Sequence, residues 1–268
     1  MKYTRILPLL FVSLFFGLSL RAEWSLYDGF DYNTKLLDGA DGGVGSWTSY
    51  WRRSGAGGVE LKSPTFTYKD RSGKSLNVLG EYTSVKGATT AGTYRDFEAI
   101  EAGNDEPLVM WVSFLASAEG GPFDASGDEV SLQLRSPENV DWVTFGVMGR
   151  LDAWRIRLSN GSQKKFTEGA SGIYTNDVNF FVARIEVDTR EGKSDSVFLW
   201  INPLLGRQPD DSAAALKVDG EDIWKPNAPV KFTRMRIGTI NSEDPEDKAL
   251  LFDEIRIGAS FQEVAPEK

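Results

Sequence analysis

Cysteine and histidine are both missing from this 268-residue chain, and their absence removes several kinds of chemistry. Without cysteine, the chain forms no disulfide, thiolate nucleophile or zinc–thiolate site. Without histidine, the Ser-His-Asp and Cys-His arrangements are excluded, together with histidine general bases and most transition-metal sites. Carboxylates, tyrosine, lysine and arginine remain for catalysis. Hard oxygen ligands remain for metals, which favours Ca²⁺ or Mg²⁺.

Long apolar runs are also scarce, and only the first residues contain one. A basic start at Lys2 and Arg5 precedes LPLLFVSLFFGLSL, which is short for a membrane span. This pattern predicts a signal peptide over residues 1–22, cleaved near Ala22, followed by one domain over residues 23–268. An uncleaved anchor is the alternative. We therefore expect a secreted, periplasmic or cell-surface monomer with no transmembrane segment in the mature chain.

Positive charge is in short supply. The chain has 30 Lys and Arg against 39 Asp and Glu, a net charge of −9. Loss of Lys2, Arg5 and Arg21 with the signal peptide leaves 27 basic residues against the same 39 acidic ones, hence −12. This balance argues against a nucleic-acid or anionic-membrane partner. It suits salty surroundings or divalent cations, although a simply soluble surface also explains it.

Amphipathic helices are not evident, and the patterned segments have period two. Long strands are predicted at 109–116, 129–135, 142–148, 153–159, 180–188, 196–203, 230–239 and 250–258. Shorter ones are predicted near 24–27, 75–79 and 92–97. Clusters of Gly, Pro, Asn, Asp and Ser separate them. About a dozen antiparallel strands at this spacing predict an all-β, two-sheet jelly-roll sandwich.

Strand parity places tryptophan and arginine opposite the predicted core. Trp111, Arg184 and Trp200 fall on the non-core side of their strands. Arginines on other strands do the same, namely Arg155, Arg157, Arg234 and Arg236. A concave sheet face of this mixture could bind a sugar chain, with apolar sugar faces on tryptophan. We predict Trp111, Arg184, Trp200 and Trp142 as ligand-binding residues. The alternative is a solvated face with cross-strand ion pairs.

Three segments resemble a known group of proteins. They are SLYDGFDYNTKLLDGADGG at 25–43, VFLWINPLLGRQPDDSAA at 197–214 and FDEIRIGASFQEVAP at 252–266. They look like exported proteins of Verrucomicrobia and Planctomycetes in the concanavalin A-like, laminin-G-like jelly-roll superfamily. The resemblance covers essentially the whole chain after the signal peptide. It implies a concanavalin A-like fold, and it leaves lectins, glycoside hydrolases and polysaccharide lyases all open.

Two adjacent acids, Asp253 and Glu254, interrupt the apolar pattern of the last strand. The resemblance implies that the first and last strands are neighbours. It also implies that an Asp at the position of Asp253 binds Ca²⁺ with groups from the N-terminal strand. Asp28 and Asp31 are the expected partners, giving a structural Ca²⁺ site at Asp28, Asp31 and Asp253. The alternative is that Asp253 caps a turn or pairs with an arginine.

One segment matches a catalytic motif. Laminarinase-type glycoside hydrolases carry Glu-x-Asp-x-x-Glu, and EVDTRE supplies Glu186, Asp188 and Glu191. The resemblance implies a nucleophile at Glu186, an orienting Asp188 and an acid/base at Glu191. However, TREGKSD is typical of a hairpin loop, which would carry Glu191 off the sheet. A lyase would instead need a base such as Tyr94 near a cation such as Arg95.

The sequence as a whole therefore predicts an exported, non-catalytic protein. We expect it to bind an extracellular polysaccharide or cell-surface glycan, or to act in adhesion through the same surface. A glycoside hydrolase using Glu186, Asp188 and Glu191 is the first alternative. A structural exported protein without a small ligand is the second.

Overall fold

The fold was determined as a computed structural model. It describes residues 24–86, 90–103, 106–120, 129–148, 153–161, 164–166, 177–224, 229–240 and 248–268. The expected signal peptide at 1–22 lies outside the described residues. Within these ranges, no helix is both long enough and apolar enough to cross a membrane.

The described chain is built almost entirely of strands, numbered here in chain order. They are β1 (Leu26–Asp28), β2 (Val44–Gly45), β3 (Arg52–Arg53), β4 (Glu60–Lys62), β5 (Tyr82–Lys86), β6 (Gly92–Glu101), β7 (Leu108–Glu119), β8 (Glu129–Arg135), β9 (Asp141–Met148), β10 (Trp154–Ser159), β11 (Lys164–Phe166), β12 (Asn179–Val187), β13 (Ser194–Ile201), β14 (Leu216–Glu221), β15 (Lys231–Ile240) and β16 (Ala249–Gly258). A 3₁₀ turn spans Asp211–Ala213, and helix α1 spans Phe261–Val264.

The strands form two antiparallel sheets. The nine-stranded sheet has the order β14-β13-β12-β7-β16-β1-β2, with β5 also paired to β16 and β4 paired to β5. The seven-stranded sheet has the order β11-β10-β9-β8-β15-β6-β3. Both sheets combine strands from early and late in the sequence. The prediction of an all-β, concanavalin A-like two-sheet jelly roll is therefore confirmed.

The main core lies between the sheets because each sheet turns one apolar face inward. Phe114 and Phe181 of the nine-stranded sheet stack with ring centroids 5.1 Å apart. Trp154 of the seven-stranded sheet contacts Phe181 at 4.3 Å. These rings are almost fully buried, and interdigitated aromatic contacts of this kind stabilise sandwich cores.

The long strands occur where period two predicts them. Strand β8 matches its predicted range, and the other seven long strands differ from theirs by one to three residues at one or both ends. The predicted strand at 75–79 forms only isolated bridges, from Ser75 to Lys69 and from Leu76 to Glu267. Strands β2 to β5, β11 and β14 were not predicted, since segments of two to six residues carry little periodicity.

The adjacent acids of the last strand occupy a β-bulge. Two residues of β16, Glu254 and Ile255, stand opposite the single residue Phe114 of β7, where the register shifts. Glu254 adopts the left-handed conformation, with φ of 56°. Phe252 and Ile255 remain in the core on either side of the bulge, while Asp253 turns outward. The bulge therefore accommodates two carboxylates in succession without placing either in the apolar core.

A second apolar cluster covers the outer face of the nine-stranded sheet. It joins strand residues to the segment 66–78, to the loop after β13 and to helix α1. Its buried members are Tyr68, Leu76, Trp111, Leu115, Phe180, Val182, Phe198, Trp200, Leu205, Phe261, Val264 and Ala265. Much of this outer face is consequently packed against chain rather than open to solvent.

Candidate functional site

The predicted tryptophans lie on the non-core side of their strands, as parity indicated, but they are buried. Trp111 and Trp200 are only 3% and 2% exposed. Their rings stack at 5.7 Å, and Phe261 of α1 packs edge-on against Trp111 at 5.7 Å. The expectation of an open sugar-binding platform at these rings is therefore corrected, because α1 and neighbouring loops cover the sheet there.

Arg184 is the cation of this buried cluster. Its guanidinium lies 5.6 Å from the Trp111 and Trp200 ring centroids and 4.6 Å from that of Phe198. It also pairs with Glu186 and Asp211, each at 2.8 Å. Aromatic faces and two carboxylates together satisfy a charge that would otherwise be costly to bury. Arg184 therefore acts in packing rather than as a free ligand-binding group.

Trp142 belongs to the opposite sheet. It lies on β9 of the seven-stranded sheet, half-buried, and its Nε1–H donates to the Lys231 carbonyl at 2.8 Å. Its ring meets Trp224 edge-on at 6.5 Å. The four predicted ligand residues consequently do not share one surface, since Trp111, Arg184 and Trp200 lie on the other side of the sandwich.

The motif Glu186, Asp188 and Glu191 is not assembled as a catalytic group. Glu186 on β12 is held by Arg184 and by the Ser196 hydroxyl, which donates to it at 2.8 Å. Asp188 forms a two-pronged pair with Arg190, and this pair lowers its pKa. Glu191 is exposed in the turn between β12 and β13. The pairing of these two strands has no bulge that would place Glu191 on the same face of the sheet as Glu186. The hairpin-loop interpretation of TREGKSD agrees with this placement.

The three residues predicted to bind Ca²⁺ do not fit a metal ion. The first and last strands are neighbours, with Asp28 opposite Ile255. Asp28, however, is buried and accepts from Tyr32, Trp51, Arg95 and the Phe30 N–H.

Asp253 points to the other face of the same sheet. It accepts from the Thr65 hydroxyl and from the Phe66 and Glu254 N–H groups. Asp31 is exposed. Among the described residues, no three His, Cys, Asp or Glu side chains are placed to hold a metal ion. N–H and O–H donors thus occupy the oxygens that a cation would need.

The outer face of the seven-stranded sheet is polar and rich in arginine, and most of the side chains in its middle are buried. Register partners form two rows across β6, β15, β8, β9 and β10. The first row is Gly92, Gly238, Ser131, Gly146 and Arg155. The second row is Tyr94, Arg236, Gln133, Thr144 and Arg157. We call these two rows, with Arg52, Asp96, Glu129, Arg135, Asp141 and Arg234 beside them, the arginine face.

Glycines in the first row make room for one guanidinium. A Cβ at Gly92 would lie 2.6 Å from Nη2 of Arg236, and one at Gly238 would lie 2.8 Å from the same atom. The Arg236 head therefore lies flat over these two positions. At Gly146, a Cβ would come within 2.2 Å of the Val130 carbonyl oxygen. The first row thus presents backbone where other strands would present side chains.

Carboxylates neutralise some of the arginines but not all. Glu129 binds the Arg157 guanidinium with both oxygens. Asp141 pairs with Arg135 at 2.6 Å, and Asp96 pairs with Arg234 at 2.5 Å. Each acid of the face is thus engaged by an arginine.

Arg155 and Arg236 have no carboxylate partner within the described ranges. Arg236 is 3% exposed and donates only to neutral acceptors: Gln133 Oε1, the Ser54 hydroxyl and two carbonyls, at 3.1–3.4 Å. Desolvation and nearby Arg135 lower its pKa. The Nε of Arg155 is buried without a hydrogen-bond partner. Glu129 and Asp141 act on Arg236 in the opposite direction, but neither pairs with it directly. A buried cation that donates only to neutral groups is costly, and an anionic ligand would offset that cost.

Tyr94 completes the candidate site. It is half-buried, Arg234 lies over its ring at 4.2 Å, and it stands opposite Arg236 in the register. Its hydroxyl has no hydrogen-bond partner among the described residues. Arg95 lies on the opposite side of β6 and is buried against Asp28 and Trp47. The predicted pairing of Tyr94 with Arg95 is therefore wrong in geometry, and Arg236 takes the place of Arg95.

The sequence correctly predicted that the arginines of β10 and β15 point away from the core. It wrongly grouped them on one face with Trp111 and Trp200, which belong to the other sheet. The alternation in WRIRLS and TRMRIG marks Arg155, Arg157, Arg234 and Arg236 as outward-facing. Nothing local to those strands shows that Trp111 and Trp200 belong to the other sheet. The polar residues Gln133 and Ser131 in EVSLQLR carried the same alternation and complete the face.

Comparison with known proteins supports the fold only. The chain matches no protein-family profile and no curated protein sequence. Its fold is similar to that of an endo-β-1,4-glucuronan lyase from the fungus Trichoderma reesei, with a TM-score of 0.54 and 11% identity over 90% of this chain and 97% of that one. It is also similar to the botulinum neurotoxin serotype C1 binding domain, with a TM-score of 0.50 and 6% identity. That match covers 89% of this chain and 48% of the toxin domain.

Proposed function

We propose that this protein is an exported binder of acidic polysaccharide and that the arginine face is its binding surface. The observation that carries the proposal is the pair of arginines, Arg155 and Arg236, that have no carboxylate partner among the described residues of a chain of net charge −9. Buried cations are retained where they have a partner, and here the uronate groups of a glycan would provide it.

The shape of the face suits an extended sugar chain. The Arg236 head covers Gly92 and Gly238 in the first row, and Ser131 and Gly146 separate these positions from Arg155. Adjacent strands are about 4.8 Å apart, so this row spans more than one sugar unit. Carboxylates of successive units would pair with guanidinium groups, and the half-buried Arg155 is the more accessible of the two arginines. The glucuronan lyase of similar fold is named for an acidic glycan, but that likeness concerns the fold, so the arginines carry the argument.

Titration calorimetry with defined oligosaccharides tests the proposal. We expect oligoglucuronate to bind and neutral cello-oligosaccharide of equal length to bind much more weakly. Arg155→Ala should lower affinity for oligoglucuronate roughly tenfold or more, since a charge-assisted contact contributes about 1.5–3 kcal/mol. Arg190→Ala, which removes an exposed arginine on the other sheet, is the matched control and should bind as wild type does. Equal affinity for the two oligosaccharides would rule the proposal out.

A second candidate function is lyase activity at the same face. It is favoured by Tyr94, which lies in one row with Arg236 and Gln133 and whose hydroxyl has no hydrogen-bond partner among the described residues. In uronate β-elimination, a base removes the proton alpha to the carboxylate. Nearby cations or amides stabilise the charge that develops; the C4–C5 double bond forms as the C4–O bond breaks, and the departing glycosidic oxygen takes a proton from the protonated base or from water. Tyr94 would supply the base, and Arg236 with Gln133 would stabilise the carboxylate.

The two candidates separate by product and by variant. A lyase generates unsaturated uronate ends, which absorb in the ultraviolet, whereas a binder leaves the polymer intact. Tyr94→Phe should abolish product formation while keeping oligoglucuronate affinity within a few-fold of wild type. Wild-type protein that binds oligoglucuronate and releases no unsaturated product over long incubation would leave binding as the function.

A further inference from the structure

A second candidate cavity lies on the other side of the sandwich. It has a volume of about 330 Å³ and is walled mainly by the loop after β13, from Asn202 to Asp210. Trp200 lies at its base. Arg71 closes one side and belongs to the segment 66–78, here called the covering segment because it packs over the nine-stranded sheet. A wider cleft of about 880 Å³ adjoins it and shares Arg71 and Asn202. Neither space contains a residue of the arginine face.

The walls of this cavity are held in place by a buried carboxylate. Asp70, 5% exposed, accepts from the Leu205 N–H at 2.8 Å and so ties the covering segment to the loop after β13. Its other oxygen accepts from Ser72 and Lys74. Burial raises the pKa of Asp70, but these hydrogen bonds outweigh it and lower the pKa to about 2. The carboxylate is thus ionised and fully engaged in shaping the cavity rather than in binding.

Further hydrogen bonds fix the opposite wall. The Trp200 Nε1–H donates to the Asp210 carbonyl at 2.9 Å, and the Tyr68 hydroxyl donates to the Pro203 carbonyl at 3.4 Å. The Asn202 side chain joins β12 by accepting from the Phe180 N–H at 2.8 Å. A cavity fixed in this way does not have to order its loops when a ligand binds, which favours affinity.

Two of the three charged side chains that line the cavity are arginines. Arg71 and Arg207 project from two different segments, and neither has an ion-pair or hydrogen-bond partner within the described chain. Lys69 adds a third positive charge in the adjoining cleft. Asp210 lines the cavity, and Asp177 and the engaged Asp70 line the cleft, so the two spaces together have three cations and three acids. Two unpaired guanidinium groups facing one cavity are the arrangement that binds a carboxylate.

We infer that this cavity is a second binding site for an acidic sugar unit, which makes the protein bivalent for acidic polysaccharide. A carboxylate would lie between Arg71 and Arg207, and hydroxyls would bind Gln208. Pro203 and Pro209 would contact an apolar sugar face. The ligand class rests on the proposed function, whereas the location of the site does not. Because the two sites lie on opposite sheets, one molecule would bridge two polysaccharide chains.

Calorimetry on single-site variants tests this inference. We expect wild type to bind two short oligoglucuronates per molecule. The double variant Arg71→Ala/Arg207→Ala should bind one, and so should Arg155→Ala. Both cavity arginines are exposed, so their replacement should leave the unfolding temperature unchanged, which is measured alongside. Arg190→Ala again serves as the matched control and should retain both sites.

Mixing with long polyglucuronate provides the second measurement. A bivalent protein links chains and makes the mixture turbid, and excess short oligoglucuronate reverses the effect. Either set of substitutions should abolish turbidity. One site in wild type, lost with Arg155→Ala and unaffected by Arg71→Ala/Arg207→Ala, would overturn the inference and leave the proposed function standing. One site lost only with the cavity variant would overturn the arginine face instead and remove bivalency.

Discussion

The Asp253 carboxylate accepts hydrogen bonds from the Thr65 hydroxyl and the Phe66 N–H, each at 2.8 Å, across 188 and 187 residues of sequence. The neighbouring Glu254 accepts from the Leu79 N–H at 2.6 Å. The two acids of the β16 bulge therefore fasten both ends of the segment that covers the nine-stranded sheet. Their adjacency in the sequence follows from the bulge, which turns consecutive side chains toward the same segment.

Removal of divalent cations should not change stability if these acids act as hydrogen-bond acceptors. We expect the unfolding temperature to be the same with excess EDTA and with added Ca²⁺. A specific site filled at a hundred times its dissociation constant would add about 2.7 kcal/mol, which is readily seen as a shift. A Ca²⁺-dependent rise that disappears in Asp253→Ala would show that the residue binds metal after all.

Stability should fall as pH rises from about 4 to about 8. Burial, followed by repulsion from Glu254, raises the pKa of Asp253 to about 8, and burial raises that of Asp195 to about 6, both from 3.8. Below pH 3.8 both carboxyls are protonated in the folded and in the unfolded state, so their contribution to the free energy of unfolding has its full value. As pH rises, the unfolded chain ionises first, and the contribution is lost as pH passes the folded pKa.

Urea denaturation across that range measures the effect. Each group alone gives a slope of at most about 1.4 kcal/mol per pH unit. Asp253→Asn should make the free energy of unfolding depend less on pH up to pH 8. Asp195→Asn should have this effect only up to pH 6. Asp70 acts in the opposite direction below this window, because its pKa is about 2. A wild-type stability that rises between pH 5 and pH 8 would contradict the assignment.

Gly92→Ala should weaken acidic-glycan binding without touching the ligand directly. The new methyl would meet three atoms of the Arg236 guanidinium group, at 2.6–3.1 Å, and displace that head from the floor of the arginine face. The affected atoms are the far end of a side chain, so the cost in folding stability should be about 1 kcal/mol.

Gly238→Ala is the comparison for this effect. Its added methyl would meet the Ala91 carbonyl oxygen at 2.4 Å, which is backbone, and should destabilise the fold more. Oligoglucuronate affinity and urea midpoints are measured for both variants. Unchanged affinity in a folded Gly92→Ala protein would show that the Arg236 head does not contact the glycan.

Trp111→Ala should affect folding rather than recognition. The ring is buried between Trp200 and Phe261, and removing a buried tryptophan costs about 3–5 kcal/mol. Denaturant unfolding should show this loss, while the fraction that remains folded at low temperature should bind oligoglucuronate at the arginine face as wild type does. A binding defect at the arginine face with unchanged stability would reinstate the tryptophan as a ligand residue.

The sequence by itself determined the fold class and the two sides of each strand. Alternation in FFVARIEVD, EVSLQLR and TRMRIG placed Arg184, Gln133 and Arg236 away from the core, because the pleat sets side-chain direction locally. The turn residues of TREGKSD likewise marked Glu191 as a hairpin residue. These features depend only on neighbours within a few positions.

Only the tertiary structure decided on which side of the sandwich each outward face lies and what packs against it. Trp111 and Arg236 both point away from the core along their own strands, yet they lie on opposite sides of the sandwich. Trp111 is covered by Phe261, 150 positions later, and Arg236 lies over Gly92, 144 positions earlier. The carboxyl groups of Asp28 and Asp253 likewise accept hydrogen bonds from residues that are distant in the sequence. Such contacts depend on sheet order and on covering segments, which local periodicity does not encode.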